Sequence, residues 1–153
     1  MIVRSLHPKR GGYERKSGSA GAGHPEKDIL ILEDRYFKPA NVCIVTGAAS
    51  GIGRATTLAM AANGVKVLCA DVDETGGEAT VKMAERLGGQ AQFFKVDLTS
   101  EEQIKACVAQ AAKLGAVKFL ANIAGIGGSA HCPGYRAITG ARAVSLFASY
   151  TRT

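Results

Sequence analysis

The sequence lacks the features that would place the protein in a membrane or in an oxidising compartment. No apolar run approaches the roughly 20 residues of a transmembrane helix, and the N-terminal segment has no continuous apolar core like that of a signal peptide. The four cysteines form no Cys-x-x-Cys pair, and the three histidines show no paired spacing. We therefore expect no membrane segment, no metal site and no disulfide framework, and we expect a cytoplasmic protein.

The sequence also lacks a concentrated basic region. The net charge is +6, but residues 41–128 hold eight Lys and Arg against eight Asp and Glu. The excess lies at the two ends, with eight basic against five acidic residues in 1–40 and three against none in 129–153. No helix has a basic face, and aromatic and basic residues do not alternate as stacking on bases would require. We expect no nucleic-acid partner.

The two ends differ in composition from the middle of the chain. Residues 1–37 are interpreted as a disordered or loosely packed leader, because their glycine-rich and serine-rich stretches cannot bury enough apolar surface to fold. The absence of an acidic residue before Glu14 leaves an organelle-targeting leader as an alternative. Residues 129–153 begin with turn-forming residues and predict one short helix, over 141–150.

Residues 38–128 alternate between short apolar runs and helix-forming segments. Helices are predicted over residues 51–63, over residues 74–87, and from Ser100 to the residue before Gly115; apolar runs at residues 42–45, 65–70, 93–96 and 117–121 predict strands covered on both faces. Strands that alternate with helices pair in parallel through right-handed crossovers. The sequence therefore predicts an α/β fold: an incomplete Rossmann-type doubly wound parallel sheet of about four strands, in the order 3-2-1-4.

Two of the helices have a predicted buried face. A spacing of four residues predicts that Ala79, Met83 and Leu87 face the core from the second helix. In the third helix, Ser100 and Gln103 have the spacing of a capping box. The buried stripe predicted for that helix consists of Ile104, Cys107, Val108, Ala111 and Leu114.

The segment 46–53, Thr-Gly-Ala-Ala-Ser-Gly-Ile-Gly, follows an apolar run and begins the first predicted helix. A strand that turns tightly into a helix presents backbone N–H groups and the positive end of the helix dipole, which together bind a diphosphate. Gly47 would allow the turn, Gly51 would let phosphates approach the backbone, and Gly53 would let the helix lie close to the strand. The alternative is a glycine-rich turn without a function.

This segment resembles the nucleotide loop of the short-chain dehydrogenase/reductases, Thr-Gly-x-x-x-Gly-x-Gly. The resemblance implies a nicotinamide dinucleotide cofactor. Asp71 ends the next apolar run, eighteen residues after Gly53, where a carboxylate would accept hydrogen bonds from the ribose hydroxyls and repel a 2′-phosphate. Ser50 stands where relatives that prefer NADP often have a basic residue, so NAD is the expected cofactor. Asp73 competes for the ribose role, and a simple turn-capping role for Asp71 is the alternative.

Two further segments resemble signatures of the same family. Asp97-Leu98 follows the third apolar run, at the position that brackets the adenine ring in relatives; Asn122-Ile123-Ala124-Gly125 follows the fourth run and would pass beside the cofactor. A purely structural role for Asn122 is equally open. The predicted cofactor-binding residues are Thr46, Gly47, Ser50, Gly51, Ile52, Gly53, Asp71, Val72, Asp97, Leu98, Asn122, Ala124 and Gly125.

The catalytic residues of the family do not have counterparts here. In relatives a serine and a tyrosine hold the substrate, and a lysine four residues after the tyrosine lowers the pKa of the tyrosine. None of Tyr13, Tyr36, Tyr135 and Tyr150 is followed by a lysine at that spacing. We therefore predict no catalytic residue in this chain.

The resemblance covers residues 38–126, roughly half of a complete relative, which leaves three interpretations. The first is the NAD-binding part of an oxidoreductase that acts on a small carbonyl or alcohol substrate. The second is a noncatalytic dinucleotide-binding module. The third is an inactive truncation product. A frame change, a truncation or a mispredicted gene end would explain residues 129–153, and the competing interpretation is a genuine alternative C-terminus. An unpaired fourth strand would leave its apolar edge exposed, which predicts marginal stability or self-association.

Overall fold

The computed structural model describes residues 2–4 and 29–125. The elements follow along the chain in this order: β1 (Ile2–Arg4), β2 (Ile31–Glu33), β3 (Asn41–Thr46), α1 (Gly51–Ala62), β4 (Lys66–Asp71), α2 (Glu74–Arg86), β5 (Ala91–Lys95), α3 (Glu101–Leu114) and β6 (Ala116–Asn122). None of the helices in this part of the chain is long and apolar enough to cross a bilayer.

Four strands form the main sheet in the order β5-β4-β3-β6, and every pairing is parallel. In the numbering of the predicted strands this is 3-2-1-4, so the predicted topology is confirmed. The strand order reverses between β3 and β6, where Thr46 lies opposite Asn122 at the carboxyl ends. Sheets of this type bind ligands in the crevice at that point.

The core has two layers because successive side chains of a strand point to opposite faces of the sheet. Val42 and Ile44 pack with α3 on one face. Cys43 and Val45 pack with α1 and α2 on the other. All six residues of β3 are buried, which explains why its sequence is continuously apolar from Val42 to Val45 rather than alternating.

Helix α3 matches its predicted pattern. Its buried residues are Ile104, Cys107, Val108 and Ala111, with Leu114 partly buried against the same cluster. The Ser100 hydroxyl accepts a hydrogen bond from the Gln103 N–H at 3.3 Å, as in a capping box. The Gln103 side chain, however, accepts from the Asp97 N–H at 2.9 Å instead of returning to Ser100. The Gln103 side chain therefore also fixes the start of the loop between β5 and α3.

The predicted face of α2 was wrong. The buried residues are Gly77, Thr80, Val81 and Ala84, whereas Ala79, Met83 and Leu87 are only half-buried. A Cβ at position 77 would overlap the ring of Phe93, so the glycine lets α2 pack directly on β5. A glycine and a hydrogen-bonded threonine on the inner face are invisible to a pattern that counts apolar residues only.

Part of the leader forms a small sheet that the sequence did not indicate. β1 pairs antiparallel with β2, and Asn63 at the end of α1 donates a hydrogen bond to the Leu30 carbonyl at 2.9 Å. Phe37 packs against Phe119, with ring centroids 5.6 Å apart. The rest of the predicted disordered leader and the short helix predicted over residues 141–150 lie outside the described residues.

Candidate cofactor-binding site

The turn after β3 requires a glycine at position 47 for two reasons. Gly47 has a φ of +70°, in the left-handed region that other residues rarely adopt. A Cβ at this position would also lie 2.9 Å from Cα and N of Ala124. The close approach brings the segment after β6 against the glycine loop. Of the predicted residues, Gly47 and Ala124 are thus brought together directly.

The other two loop glycines differ in their surroundings. Gly53 lies against the Gly47 carbonyl, which a Cβ would overlap, so it packs the start of α1 onto the turn. Gly51 has a φ of +50°, and a Cβ there would meet no atom of the described residues within 4 Å. Gly53 is therefore required by packing, whereas Gly51 is required by its backbone conformation and faces open space.

Helix α1 differs from α2 and α3 at its N-terminus. Asp73 caps α2 and Ser100 caps α3 through their side chains, and both helices have acidic residues in the first turn. Ser50 at the start of α1 makes no side-chain cap hydrogen bond, and the first turn of α1 contains no acidic residue. The first N–H groups of a helix need acceptors, and the dipole favours a negative charge there. The arrangement suits an anion.

Thr46 joins the ends of the two strands at the switch point. Its hydroxyl donates to Oδ1 of Asn122 at 2.9 Å and accepts from the N–H groups of Ile123 and Ala124 at 3.0 and 3.1 Å. The first of these hydrogen bonds ties Asn122 to the end of β3, and both of the roles that the sequence left open for Asn122 stay predictions. Gly125 follows as an exposed residue, and a Cβ there would have no neighbour closer than 3.9 Å in the part of the chain that the structure describes.

Asp71 lies at the carboxyl end of β4 and anchors the glycine loop. Its Oδ2 accepts from the Ala49 N–H at 2.9 Å, and its Oδ1 accepts from the Asp73 N–H at 3.1 Å. The Asp73 carboxylate accepts from the Gly76 N–H at 3.1 Å as the cap of α2. The Asp73 side chain is therefore already engaged as the N-cap of α2. Each Asp71 oxygen retains further acceptor capacity.

Asp97 and Leu98 lie next to Asp71 along the same edge of the sheet, since the N–H of Val96 donates to the Asp71 carbonyl at 2.9 Å. The Asp97 side chain is exposed and accepts from the Thr99 N–H at 2.8 Å. This hydrogen bond lowers the pKa of Asp97 below its usual value, so the group is a carboxylate at neutral pH.

Two exposed apolar side chains flank the loop. Ile52 is 75% exposed and Val72 is 61% exposed, the two highest values among the large exposed apolar residues of the described region. Ile52 begins α1 beside Gly51, and Val72 follows Asp71 directly. Apolar side chains at these positions would cover the flat and apolar parts of a ligand held by the loop.

Sequence reasoning missed two residues that contact the back of the loop. Arg54 donates through Nη2 to the Ala49 carbonyl and through Nε to the Thr80 hydroxyl, the latter at 3.0 Å. The Thr80 hydroxyl lies 3.0 Å from the Ala48 carbonyl. Both residues fall inside helices and match no nucleotide-binding motif. The one sequence signal that could have indicated Thr80 is a threonine in the interior of a predicted helix.

The three cysteines of the described residues lie apart from this site. Cys43, Cys69 and Cys107 are buried free thiols, and burial raises their pKa values to about 12, 11 and 12. Within residues 29–125 no three His, Cys, Asp or Glu side chains come together as a metal site. Two shallow surface depressions, of about 580 and 450 Å³, lie on the outer face of α2 and at the amino ends of β4 and β5, away from the glycine loop.

A model of a known protein family matches most of the chain. The family model for the short chain dehydrogenases matches residues 41–141. The match includes every residue of the predicted site and extends past residue 126, into the segment that was predicted to depart from the family. That added stretch lies outside the described residues.

Individual relatives match part of their own length. The chain is 42% identical over 86 residues to a 3-oxoacyl-(acyl-carrier-protein) reductase of Thermotoga maritima, which is 56% of this chain and 35% of the relative. It is 38% identical over 100 residues to the 7alpha-hydroxysteroid dehydrogenase of Escherichia coli strain K12, which is 65% of this chain and 39% of that enzyme. The chain thus spans little more than a third of these relatives.

A solved structure agrees with the fold. The crystal structure of a hydroxysteroid dehydrogenase from Escherichia coli superposes with a TM-score of 0.58 and 33% identity, over 64% of this chain and 43% of that one. The family match covers most of the chain and includes both the glycine loop and the strands that position it. The chain therefore belongs to the short-chain dehydrogenase/reductase family.

Proposed function

We propose that this chain binds NAD as the cofactor-binding part of an oxidoreductase. The observation that carries the proposal is the N-terminus of α1, which has neither a side-chain cap nor an acidic first turn and lies behind the glycine loop. A pyrophosphate supplies the negative charge and the hydrogen-bond acceptors that this helix end lacks. The open space at Gly51 leaves room for the phosphate oxygens to reach the backbone.

The remaining site residues would hold the rest of the dinucleotide. The Asp71 carboxylate would accept from the adenosine ribose hydroxyls, and Asp97 with the Leu98 N–H would bracket the adenine. Ser50 and Ile52 would contact the phosphates and the adjoining ribose, with Val72 beside the adenine. The turn that begins at Asn122, with Ala124 and Gly125, would lie along the nicotinamide half, since Ala124 already contacts Gly47.

The preference for NAD over NADP rests on charge. A 2′-phosphate would bring two negative charges close to the Asp71 carboxylate, which is held in place by the N–H groups of Ala49 and Asp73. The nearest basic group of the loop, Arg54, is already bonded to the Ala49 carbonyl and to Thr80. We expect the dissociation constant for NAD to be lower than that for NADP by about tenfold or more.

In the experiment the purified chain is titrated with NAD and with NADP, and calorimetry measures the dissociation constant of each cofactor. Asp71→Asn is the informative variant, because its amide oxygen can still accept from the loop while the charge that repels a phosphate is gone. We expect the ratio of the NAD and NADP affinities to fall in this variant and to be unchanged in Glu85→Gln, an exposed control on α2. Tighter binding of NADP by the unmodified chain would refute the NAD assignment.

In this family the nicotinamide ring supplies the hydride chemistry. We propose that the hydride moves between the nicotinamide and a carbonyl or secondary alcohol. The missing Tyr-x-x-x-Lys spacing favours a second candidate for the chain by itself, a noncatalytic dinucleotide-binding module. We expect no hydride transfer by the purified chain. Turnover in a preparation free of host dehydrogenases would show that an acid–base group exists elsewhere in the chain.

We also propose self-association through β6. This strand pairs with β3 on one side and has no second neighbour among the described strands, and its Val117, Phe119 and Leu120 side chains are only half-buried. A monomer that melts cooperatively and binds little hydrophobic dye would contradict this proposal. The cytoplasm is the proposed location, because the described cysteines are free thiols, as a reducing compartment permits.

A further inference from the structure

The outer side of the glycine loop is held by side chains from two helices. Arg54, on α1, donates to the Ala49 carbonyl and to the Thr80 hydroxyl. Thr80, on α2, lies within hydrogen-bonding distance of the Ala48 carbonyl at 3.0 Å and of the Gly76 carbonyl at 2.9 Å. The two side chains thus contact two consecutive carbonyl groups of the loop and also each other.

We infer that Arg54 and Thr80 form a clamp that positions the loop for the cofactor, an inference that rests on the proposed function. In a trans peptide unit the carbonyl and the next N–H point in opposite directions, and the described chain has no cis peptide bond. The contact of Thr80 with the Ala48 carbonyl therefore directs the Ala49 N–H away from α2. That N–H donates to Asp71, as this geometry requires.

The same relation applies to the next peptide unit. The guanidinium of Arg54 fixes the Ala49 carbonyl, so the Ser50 N–H points in the opposite direction, away from Arg54. Ser50 is the N-cap of α1, and its N–H belongs to the group of amides that would face the pyrophosphate. The clamp therefore orients an amide of the cofactor site without either side chain contacting the cofactor.

Burial makes the threonine hydroxyl important to this arrangement. Thr80 is fully buried, and valine would fill the same space without a hydrogen-bonding group. In Thr80→Val the Ala48 carbonyl and Nε of Arg54 would each lose a partner in a site with little access to water. Gly76 completes the packing, since a Cβ there would lie 2.9 Å from the Ala49 carbonyl.

The test compares the whole chain with Thr80→Val, Thr80→Ser and Arg54→Lys. Serine keeps the hydroxyl, whereas lysine keeps the charge but cannot hold both acceptors as the guanidinium does. Thr57→Val is the matched control, because Thr57 is another fully buried threonine, on α1, with its hydroxyl directed to Cys69 rather than to the loop. Two quantities are measured: the NAD dissociation constant, and the hydrogen-exchange rates of the amides of residues 48–51 in the ligand-free chain.

We expect Thr80→Val and Arg54→Lys to weaken NAD binding by about tenfold and to speed exchange of the loop amides, as loss of one or two hydrogen bonds implies. Thr80→Ser should bind like the unmodified chain, and Thr57→Val should leave the exchange of the loop unchanged. Equal effects of the two valine variants on loop exchange, or no effect of Thr80→Val, would overturn the clamp. An unmodified chain that binds no NAD would refute the proposed function, while loop exchange would still decide whether the clamp exists.

Discussion

Strands β3 and β6 lie side by side, yet they are covered very differently. Every residue of β3 is buried, whereas no residue of β6 is fully buried. β3 pairs with a strand on each side, and β6 pairs with β3 alone among the described strands. The difference shows that the part of the site at the end of β3 is built from contacts within the described region, while the part after β6 has fewer contacts with the described residues.

The same contrast holds for the residues that follow each strand. After β3, the loop is fixed by its glycines, by Asp71 and by the clamp of Arg54 and Thr80. After β6, the hydrogen bonds from the turn to described side chains are accepted by the hydroxyl of Thr46, the last residue of β3. The phosphate side of the proposed site should therefore be the more rigid side and the nicotinamide side the more easily displaced.

The largest effect is expected from Gly53→Val. A side chain at this position would overlap the Gly47 carbonyl, and the backbone of a turn between a buried strand and a helix has little freedom to move away. We expect a loss of about 3 kcal/mol in the free energy of unfolding, together with the loss of NAD binding. Urea denaturation followed by circular dichroism measures the first quantity and calorimetry the second.

Gly125→Ala is the corresponding change on the β6 side. Among the described residues a Cβ at position 125 has no neighbour closer than 3.9 Å, so the free energy of unfolding should change by no more than about 0.5 kcal/mol. Comparable losses in both glycine variants would show that the two strand ends are equally constrained, and the contrast between them would fail.

The next largest effect is expected when a large apolar side chain is replaced by alanine in each of the two strands. Ile44 in β3 is completely buried, whereas Leu120 in β6 is half-buried against the same core layer. We expect Ile44→Ala to cost about 3 to 4 kcal/mol and Leu120→Ala about 1 to 2 kcal/mol, since the lost contacts and the cavity are smaller at the partly exposed position. The ratio is measured by urea denaturation of both variants at one temperature. Equal costs would mean that β6 is covered in solution as fully as β3.

Much of the fold could be predicted from the sequence because its signals are local. Continuous apolar runs gave the four strands of the main sheet, and glycines at positions such as 64 and 115 marked helix ends. The order of strands followed from the handedness of crossovers alone. The glycine loop was equally accessible, since each of its three glycines has a conformational or packing requirement that the spacing reflects.

The features that escaped prediction depend on contacts between distant residues. The buried face of α2 is set by Gly77 against Phe93 and by the Thr80 hydroxyl, neither of which adds to an apolar pattern. The clamp joins residues 26 positions apart and exists only when α1 and α2 are packed together. The antiparallel pairing of β1 with β2 joins segments separated by a long intervening stretch, which no local periodicity indicates.

The smallest predicted effect is a difference between the two regions in the rate at which their cysteines react with a thiol reagent. Cys69 lies in β4, which pairs with a strand on each side, whereas Cys107 lies on α3 and packs in the core layer that includes Val117 and Leu120 of β6. Cys43 lies in β3 opposite Phe119 of β6, so the informative pair is Cys69 and Cys107. In a Cys132→Ser background, local opening near β6 would expose Cys107 before Cys69. We therefore expect Cys107 to react about tenfold faster than Cys69 with a thiol reagent at pH 8, as resolved by peptide mass spectrometry.

The pKa values set the baseline for that experiment. Burial raises the pKa of each thiol to about 11 or 12, above the ordinary value of 9.0, so all three stay protonated in the folded chain at pH 8 and only opening makes them reactive. In urea the three rates should converge and exceed the native rates by about 100-fold or more, because the thiolate population rises with the return of the pKa to its ordinary value. Simultaneous labelling of all three thiols under native conditions would mean that the described domain opens as one unit. In that case the weaker covering of β6 would have no consequence for its local stability.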